Sequence, residues 1–240
     1  MQSFGKTDIG KTRRINQDYI FFSDSPIGNL PNLYIVADGM GGHKAGEFAS
    51  KFAVERAVDI VSKHELNSPI AILQDAYKVI NKELIEEAKT NEEHMGMGTT
   101  LVIATVVDSQ LFVANVGDSR LYVMRNFIKQ ITLDHSLVEE LIRSGELKRD
   151  QIRNHPEKNI ITRALGAEKK VVPDFFEVTL SKGDKILLCS DGLTNMVDDN
   201  EILQLCMSNH QIEDKVNSLV DRANYYGGKD NIAVIIAQNQ

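Results

Sequence analysis

The sequence predicts an α+β fold in which antiparallel strands and helices form separate layers. Seven segments rich in Val, Ile, Leu and Phe are bounded by Gly, Asn or Asp, which is the composition of β-strands. Short turns such as DSQ and GDS separate several of these segments and favour hairpins. Because blocks of strands are separated from blocks of helices, a layered packing is expected rather than a parallel, doubly wound sheet.

The predicted elements follow from the hydrophobic period and from the residues at the boundaries. Strands are expected at residues 33–38, 99–108, 110–117, 120–126, 175–180, 185–191 and 231–238. Helices are expected at residues 44–64, 68–91, 199–207 and 211–226. Ser68 is a candidate N-cap with Pro69 at the first helical position. Gly227 and Gly228 would close the last helix.

Length and composition predict one packed domain spanning residues 1–240. The chain has 240 residues, of which 42% are hydrophobic. No apolar tract is long enough to span a bilayer, and residues 1–20 carry charges where a secretory signal would be apolar. Cys189 and Cys206 lie in apolar surroundings and are expected to be packing residues in a reducing compartment. We therefore expect a cytoplasmic protein and, since nothing in the sequence indicates an oligomer, a monomer.

The overall charge limits the class of partner. The formal net charge is −7, whereas binding to nucleic acid or to an anionic membrane surface requires a basic face. Neither partner is therefore expected.

One segment, residues 134–166, differs from the rest in composition. A short amphipathic helix opens it, and residues 148–163 then carry five Lys or Arg against two acids. The segment is either a solvated surface loop or a mobile flap that meets an anionic substrate, because local positive charge steers anions.

Four aspartates stand at the ends of predicted strands. Asp38, Asp118 and Asp191 follow strands, and Asp230 precedes one. Alone, each is most simply explained as a turn former or a helix cap. If folding brings them together, their like charges would raise one another's pKa, and a bound cation would keep them ionised. Gly39, next to Asp38, leaves its carbonyl open to the same ion.

The residue types favour a hard cation. Oxygen ligands select Mg²⁺ or Mn²⁺ rather than zinc. The six histidines are scattered without a ligand-like pair, and no segment matches the EF-hand calcium loop. The glycine-rich stretch after the first predicted strand also fails as a dinucleotide-binding loop, because Lys44 occupies the position of the third glycine.

The segment RRINQD near the N-terminus adds two charged residues. If this segment is extended or lies on an edge strand, the guanidinium of Arg13 can present a two-pronged donor to a phosphate. The carboxylate of Asp18 would then support the metal shell. Alone, the pair would be an ordinary surface charge cluster.

Seven motifs occur together in a fixed order along the chain. They are RRINQD, VADGMGGHKAGE, MGTT, NVGDSRLY, ITRALG, CSDGLTNMV and GGKDNIAVI. This ordered set resembles the metal-dependent Ser/Thr protein phosphatases of the type 2C (PPM) class, in their compact bacterial branch. The match spans residues 4–238, and the ordered set is far more specific than any one motif.

The resemblance implies a four-layer αββα sandwich with two central antiparallel sheets and a flap subdomain at residues 134–166. It also implies two Mn²⁺ or Mg²⁺ ions at one end. Asp38 would bridge both ions, and Asp191 and Asp230 would complete the protein ligands of the first. The Gly39 carbonyl would bind the second ion.

Three further roles are implied by the resemblance. Asp18 would act on the shell of the second ion through water, and Arg13 would hold the substrate phosphate. Asp118 together with Asp191 would bind a third ion, as in many bacterial relatives.

Two positions depart from the pattern of other family members. Animal members carry a histidine, proposed as the general acid, where this chain has Met40. That role is not transferred to the nearby His43, so the general acid stays open. Gln17 replaces a glutamate found in some relatives and would offer a neutral oxygen to a water near the metal.

The implied function is hydrolysis of phosphoserine and phosphothreonine on proteins by a metal-activated water, opposing a cellular Ser/Thr kinase. Neither cysteine lies in a phosphate-cradling loop, which counts against a covalent cysteine mechanism. One alternative is a non-catalytic, metal-binding regulatory module of the same fold. Another is a developmental or stress-response phosphatase that acts on one phosphoserine regulator. The presence of all the matching aspartates and of Arg13 favours the enzyme over the module.

Overall fold

The computed structural model describes residues 1–42, 44–149, 151 and 155–239. In chain order the strands are β1 (Gln2–Asp8), β2 (Asp18–Ser23), β3 (Leu33–Met40), β4 (Gly98–Thr99), β5 (Leu101–Val107), β6 (Gln110–Val116), β7 (Arg120–Met124), β8 (Ile128–Gln130), β9 (Asp174–Thr179), β10 (Lys185–Cys189) and β11 (Ile232–Gln238). The helices are α1 (Ala45–Lys63), α2 (Pro69–Thr90), α3 (Leu137–Ser144), α4 (Asp191–Thr194), α5 (Asp199–Met207) and α6 (Ile212–Tyr225), with a 3₁₀ turn at Glu92–His94.

The strands form two sheets. Sheet I has the order β1-β11-β10-β7-β8, and sheet II has the order β2-β3-β5-β6-β9, with β4 paired to β3. Every neighbouring pair in both sheets is antiparallel. The expected antiparallel pairing is therefore confirmed.

The two sheets pack face to face because alternate residues of each strand point to opposite faces. Val36 and Val102 of sheet II belong to the same buried cluster as Leu188 and Ile235 of sheet I. This cluster is the core between the two sheets, and it is formed by the apolar inner faces of both.

The outer faces of the sheets are covered by helices. Ile35 and Ile103, which alternate with the inward residues of sheet II, are buried in one cluster with Ala53 of α1 and Leu73 of α2. On sheet I, the outward residues are buried in a third cluster with α4, α5 and α6, to which both cysteines contribute. The layers are therefore helix, sheet, sheet and helix, which confirms the predicted αββα sandwich.

The central strands read as continuous apolar runs because both of their faces are buried. Such runs made the seven strand segments predictable, and the apolar stripe of each helix made the four long helices predictable. Each prediction lies within a few residues of the observed ends. Cys189 and Cys206 are buried and unpaired as expected, and burial raises the pKa of the Cys206 thiol to about 12.

Several elements differ from the prediction. The predicted strand 99–108 is divided into β4 and β5 at Thr100, opposite Asp38, where the Asp38 amide donates to the Thr100 side-chain hydroxyl at 2.9 Å. The edge strands β1 and β2 were not predicted, since they are only partly buried and lack an apolar pattern. β8 and α4 are too short for any period to show.

The helix boundaries are partly explained by capping. Pro69 opens α2 as predicted, but Ser68 at the N-cap makes no side-chain capping hydrogen bond. Gly227 and Gly228 follow α6, and their positive φ angles allow their amides to return to carbonyls in the last turn of the helix.

Across the described residues, no helix is both long and apolar enough to cross a membrane.

Tyr77 joins α2 to the neighbouring strands of sheet II. Its side chain is fully buried, and its hydroxyl lies 2.7 Å from the Leu101 carbonyl and 2.8 Å from the Ala114 carbonyl. Tyr77→Phe removes the donor and leaves these carbonyls buried, so we expect the free energy of unfolding to fall by about 1–2 kcal/mol. Urea denaturation measures this change. Tyr225→Phe is the matched control, because the Tyr225 side chain is 75% exposed; an equal loss in both variants would contradict the assignment.

Candidate active site

Strand pairing in sheet II places two of the predicted site residues side by side. Asp18 opens β2 and is the direct partner of Asp38 near the end of β3. Thr100 holds this end of β3, because the Asp38 amide donates to its hydroxyl at 2.9 Å. Of the RRINQD segment, Asp18 lies on the edge strand β2, whereas Arg13 lies in the loop before it. The roles of the two residues stay predictions.

Sheet I supplies two more carboxylates at the same end of the sandwich. Asp191 is the first residue of α4, directly after β10, and Asp230 lies just before β11. A Cβ on Gly192 would lie 1.8 Å from the Asn231 carbonyl oxygen, so only glycine lets α4 approach the start of β11. This close approach is what places Asp191 beside Asp230.

Ser190 connects the two sheets beneath these carboxylates. Its hydroxyl donates to Asp18 at 2.6 Å across the interface and accepts the Ala233 amide of β11 at 2.9 Å. Ser190 is completely buried. Ser190 lies inside the CSDGLTNMV motif, but no role was predicted for it. A small polar residue between an apolar strand and an aspartate is the signal that could have identified it.

The carboxylates repel one another electrostatically. Burial, together with the charges of Asp191 and Asp230, raises the pKa of Asp18 to about 8, although the hydrogen bond from Ser190 opposes this shift. Burial also raises the pKa of Asp38 well above its usual range, followed by the charges of Asp18, Asp191, Asp118 and Asp230. Burial, then Asp230, raises the pKa of Asp191 to about 6. We call these five residues the aspartate cluster; the structure brings all of them into one electrostatic site.

Asp118 occupies the side of the aspartate cluster nearest to the flap. Burial, then Asp191 and Asp134, raises its pKa well above the usual range, while the charge of Arg120 lowers it. The preceding Gly117 has a φ of +105°, and its backbone lies so close to Thr100 that a side chain would collide with it. This turn aims Asp118 toward Asp191.

Arg13 lies at the rim of the aspartate cluster. One of its terminal nitrogens is 2.7 Å from a carboxylate oxygen of Asp230, and its side chain is 49% exposed. The loop that carries Arg13 is held by Asn231, whose amide nitrogen donates to the carbonyls of Ile9 and Ile15. Asn231 was not predicted as a site residue either, although its position between Asp230 and an apolar strand could have identified it.

Several features of the cluster suit a hard cation. One carboxylate oxygen of Asp18 and one of Asp118 are buried without a hydrogen-bond partner in the described structure. A Cβ on Gly39 would lie 1.9 Å from the Gly46 carbonyl oxygen, so only glycine fits at this position, and no side chain covers the backbone beside Asp38. The donor set consists of oxygens alone, which is the chemistry that Mg²⁺ and Mn²⁺ prefer.

The ligand geometry is not already formed. In the parts of the chain that the structure describes, no group of three or more His, Cys, Asp or Glu side chains would hold a metal ion as it stands. Protein donors satisfy several of the carboxylates instead: Arg13 bonds Asp230, and the Asn195 amide donates to Asp191 at 2.8 Å.

A cavity of about 400 Å³ connects the cluster to the segment predicted as a flap. Asp118 and Asp191 line one side, and Arg149 and Lys158 line the other. Within residues 134–166, α3 packs through Val138 and an isolated bridge pairs the two ends of the segment. Residues 150 and 152–154 of this segment, and His43, lie outside the described residues.

A site with buried carboxylates from two sheets and cations at its rim is typical of enzymes that use hard cations to hydrolyse phosphate esters. Comparison with known proteins agrees with this class. The family model of protein phosphatase 2C (PP2C) matches residues 28–232, and the chain belongs to this family.

Individual relatives agree with the family assignment. The chain is 42% identical over 243 residues to the serine/threonine phosphatase stp of Listeria monocytogenes serotype 4b, covering 97% of this chain and 94% of the relative. The crystal structure of serine/threonine phosphatase Stp1 from Staphylococcus aureus has a TM-score of 0.93 at 39% identity, covering 100% of this chain and 95% of that one. The catalytic domain of serine/threonine protein phosphatase PstP, in complex with two manganese ions, has a TM-score of 0.86 at 29% identity, covering 99% and 97%.

The chain is thus a serine/threonine phosphatase of the PP2C type, a class of metal-dependent hydrolases. The resemblance seen in the sequence and the enzymatic activity it implied are confirmed. The alternative of a non-catalytic regulatory module is not favoured, because the named relatives are phosphatases along nearly their whole length.

The raised pKa values predict how stability depends on pH in the metal-free protein. An aspartate with a raised folded-state pKa binds its proton more tightly when folded, so the free energy of unfolding falls as pH rises from the unfolded value toward the folded one. For Asp191 this window runs from the usual 3.8 to about 6. Asp191→Asn should remove this loss and raise stability near pH 7 by on the order of 1 kcal/mol.

Thermal unfolding in EDTA across this pH range measures the effect as the difference between variant and wild type. Taking the difference cancels the contribution of groups whose pKa does not depend on Asp191, including His135, whose pKa is lowered by burial. The charge of Asp191 raises the pKa of Asp18, Asp38 and Asp118, so its removal lowers their pKa values and changes stability in the same direction. Asp108→Asn, in the exposed turn between β5 and β6, is the control. An Asp191→Asn curve parallel to wild type would contradict the repulsion.

Proposed function

We propose that the aspartate cluster and Arg13 hydrolyse phosphoserine and phosphothreonine monoesters on protein substrates. The observation that carries this proposal is the convergence of carboxylates from both sheets beside an exposed guanidinium. Repelling carboxylates favour bound cations, and a guanidinium favours a phosphate, so the two charge types suit the two components of the reaction.

The proposed metal ligands are Asp38, Asp191, Asp230 and the Gly39 carbonyl for two Mn²⁺ or Mg²⁺ ions, with Asp118 and Asp191 for a third. When bound, such ions would supply Lewis-acid activation of water and would offset the charge of the phosphoryl group. The unpartnered carboxylate oxygens of the cluster and the two manganese ions of the PstP structure support this choice.

Arg13 is proposed to hold the phosphoryl oxygens of the substrate. Its pairing with Asp230 places it at the cluster, and its half-exposed side chain can turn from Asp230 to a substrate without disturbing the core. A guanidinium donates two parallel N–H groups to an oxyanion, which fixes the orientation of the phosphoryl group as well as its charge. Asp18 is proposed as a positioning residue, since Ser190 fixes one of its oxygens and leaves the other unpartnered.

The flap is proposed to guide the phosphate toward Arg13. A smaller cavity of about 310 Å³ is lined by Arg13, Asp230, Lys158 and Lys229. Lys158 also lines the larger cavity at Asp118, so one flap cation faces both openings. Local positive charge of this kind raises the concentration of an anionic substrate near the site.

The biological setting is proposed from the chemistry of the substrate. A hydrolase of phosphoserine and phosphothreonine needs a Ser/Thr kinase to supply its substrates, so we propose that the enzyme reverses such a kinase. The two buried free thiols fit a reducing compartment, which supports a cytoplasmic location. We further propose that residues 1–240 act as one monomeric catalytic domain, with residues 134–166 as its flap.

Metal dependence tests the proposed ligands. EDTA should abolish hydrolysis of a small aryl phosphate and of phosphothreonine peptides, and added Mn²⁺ should restore both. Asp38→Ala should lower the restored rate at least about 100-fold, because a central ligand is lost, while circular dichroism shows an intact fold. Calorimetric titration should show weaker Mn²⁺ binding to this variant. Asp221→Ala, at an exposed position of α6, is the matched control. Undiminished turnover in EDTA, or wild-type Mn²⁺ affinity in Asp38→Ala, would reject the assignment.

The role of Arg13 is tested against its neighbour. Arg13→Ala should lower kcat/KM for a phosphothreonine peptide on the order of 10- to 100-fold, since an oriented charged donor to the phosphoryl group is lost. Arg14→Ala, which removes the same charge from an exposed position one residue away, should change kcat/KM little. Steady-state kinetics at saturating Mn²⁺ measure both. Equal effects of the two substitutions would show that only general surface charge matters.

A further inference from the structure

A second cleft lies between α2 and the segment that joins the flap to β9. Its volume is about 490 Å³. Lys78 and Lys82 of α2 line one wall, and Lys169 and Lys170 line the other. We call it the lysine cleft.

The lysine cleft concentrates positive charge on an acidic protein. All four lysines are exposed, and no acidic side chain is among the residues that line the cleft. Lys82 lies 3.8 Å from Glu86 in the next turn of α2. In the described structure the other three lysines make no ion pair. Four unneutralised or weakly neutralised cations facing one space, on a chain of net charge −7, favour an anionic occupant.

The floor of the cleft is apolar. Val171, Val172 and Pro173 line it, and Val172 is 58% exposed although it is a large hydrophobic residue. An inorganic anion would leave this surface in water. An occupant that carries an apolar side chain between acidic ones would cover the floor and pair with the rim at the same time.

The walls of the cleft are held in place by partly buried hydrogen bonds. The Asn81 side chain accepts the Gly166 amide at 2.9 Å and donates to the Glu168 carbonyl at 3.0 Å, which fixes the flap-to-β9 segment on α2. The adjoining Leu165 pairs with Thr99, whose hydroxyl donates to the Asp38 carbonyl at 3.0 Å. The cleft is therefore preformed and continuous through a few residues with the active site, which lowers the ordering cost of binding.

We propose that the lysine cleft is a docking site for an acidic peptide segment with an apolar side chain, present in phosphoprotein substrates outside the phosphorylated residue. This proposal rests on the proposed function, because docking here would hold a substrate while its phosphate lies at the aspartate cluster. Nucleic acid and anionic membranes need a broader basic face than four lysines on an acidic chain supply.

Binding to the cleft is measured without catalysis. The probe is a fluorescein-labelled, unphosphorylated peptide of about 12 residues with Asp and Glu around a central Leu, followed by fluorescence anisotropy. Lys169→Glu/Lys170→Glu should weaken its binding about tenfold, and binding should weaken as salt screens the charges. Lys129→Glu/Lys182→Glu makes the same change in net charge outside the cleft, at exposed positions, and should bind as wild type does.

Catalysis then tests the link to substrates. For a phosphothreonine peptide joined to the acidic segment, Lys169→Glu/Lys170→Glu should raise KM several-fold with kcat unchanged, and hydrolysis of an aryl phosphate should match wild type.

A wild-type protein inactive on every phosphate ester would reject the proposed function, yet the anisotropy result would still decide whether the cleft binds acidic peptides. Equal loss of binding in both double variants would overturn the docking site. So would tighter binding of phosphatidylserine vesicles or duplex DNA than of the peptide, or a concentration-dependent dimer that the cleft variant abolishes.

Discussion

The end of the sandwich that carries the aspartate cluster depends on holding buried carboxylates of like charge close together. Asp18 and Asp38 come from sheet II, and Asp191 comes from sheet I, so their repulsion opposes the packing of one sheet on the other. The apolar core between the sheets supplies the force that overcomes this repulsion. Ser190 adds one directed contact across the interface, and it fixes Asp18 at the point where the two sheets meet.

The same constraint explains the glycines around the cluster. Carboxylates on neighbouring segments can share a small ion only if their backbones approach closely, and a Cβ on Gly39 or Gly192 would overlap a carbonyl oxygen of the adjoining segment. Gly39, inside β3, and Gly192 are therefore packing requirements of the site. Side chains are absent at these positions because backbone must pass beside backbone.

The active site and the lysine cleft divide the recognition of a phosphoprotein between two kinds of electrostatic surface. The aspartate cluster is negative and would bind a phosphate only through cations and Arg13, whereas the lysine cleft is positive without any added ion. The flap and the segment that follows it connect the two sites: Lys158 of the flap lines the cavity at the aspartate cluster, and Lys169 of the following segment lines the lysine cleft. A protein of net negative charge can in this way attract an acidic substrate at chosen positions only.

Periodicity and composition alone determined the central strands, the long helices and the strand-end aspartates, and the order of motifs identified the family. These features are local: a strand buried on both faces needs an apolar run, and a helix on a sheet needs an apolar stripe. Only the tertiary structure decided that Ser190 meets Asp18, that Asn231 holds the Arg13 loop and that Arg13 pairs with Asp230. Each of these contacts joins residues more than 170 positions apart. No local pattern encodes such a distance, because it depends on how the two sheets lie on each other.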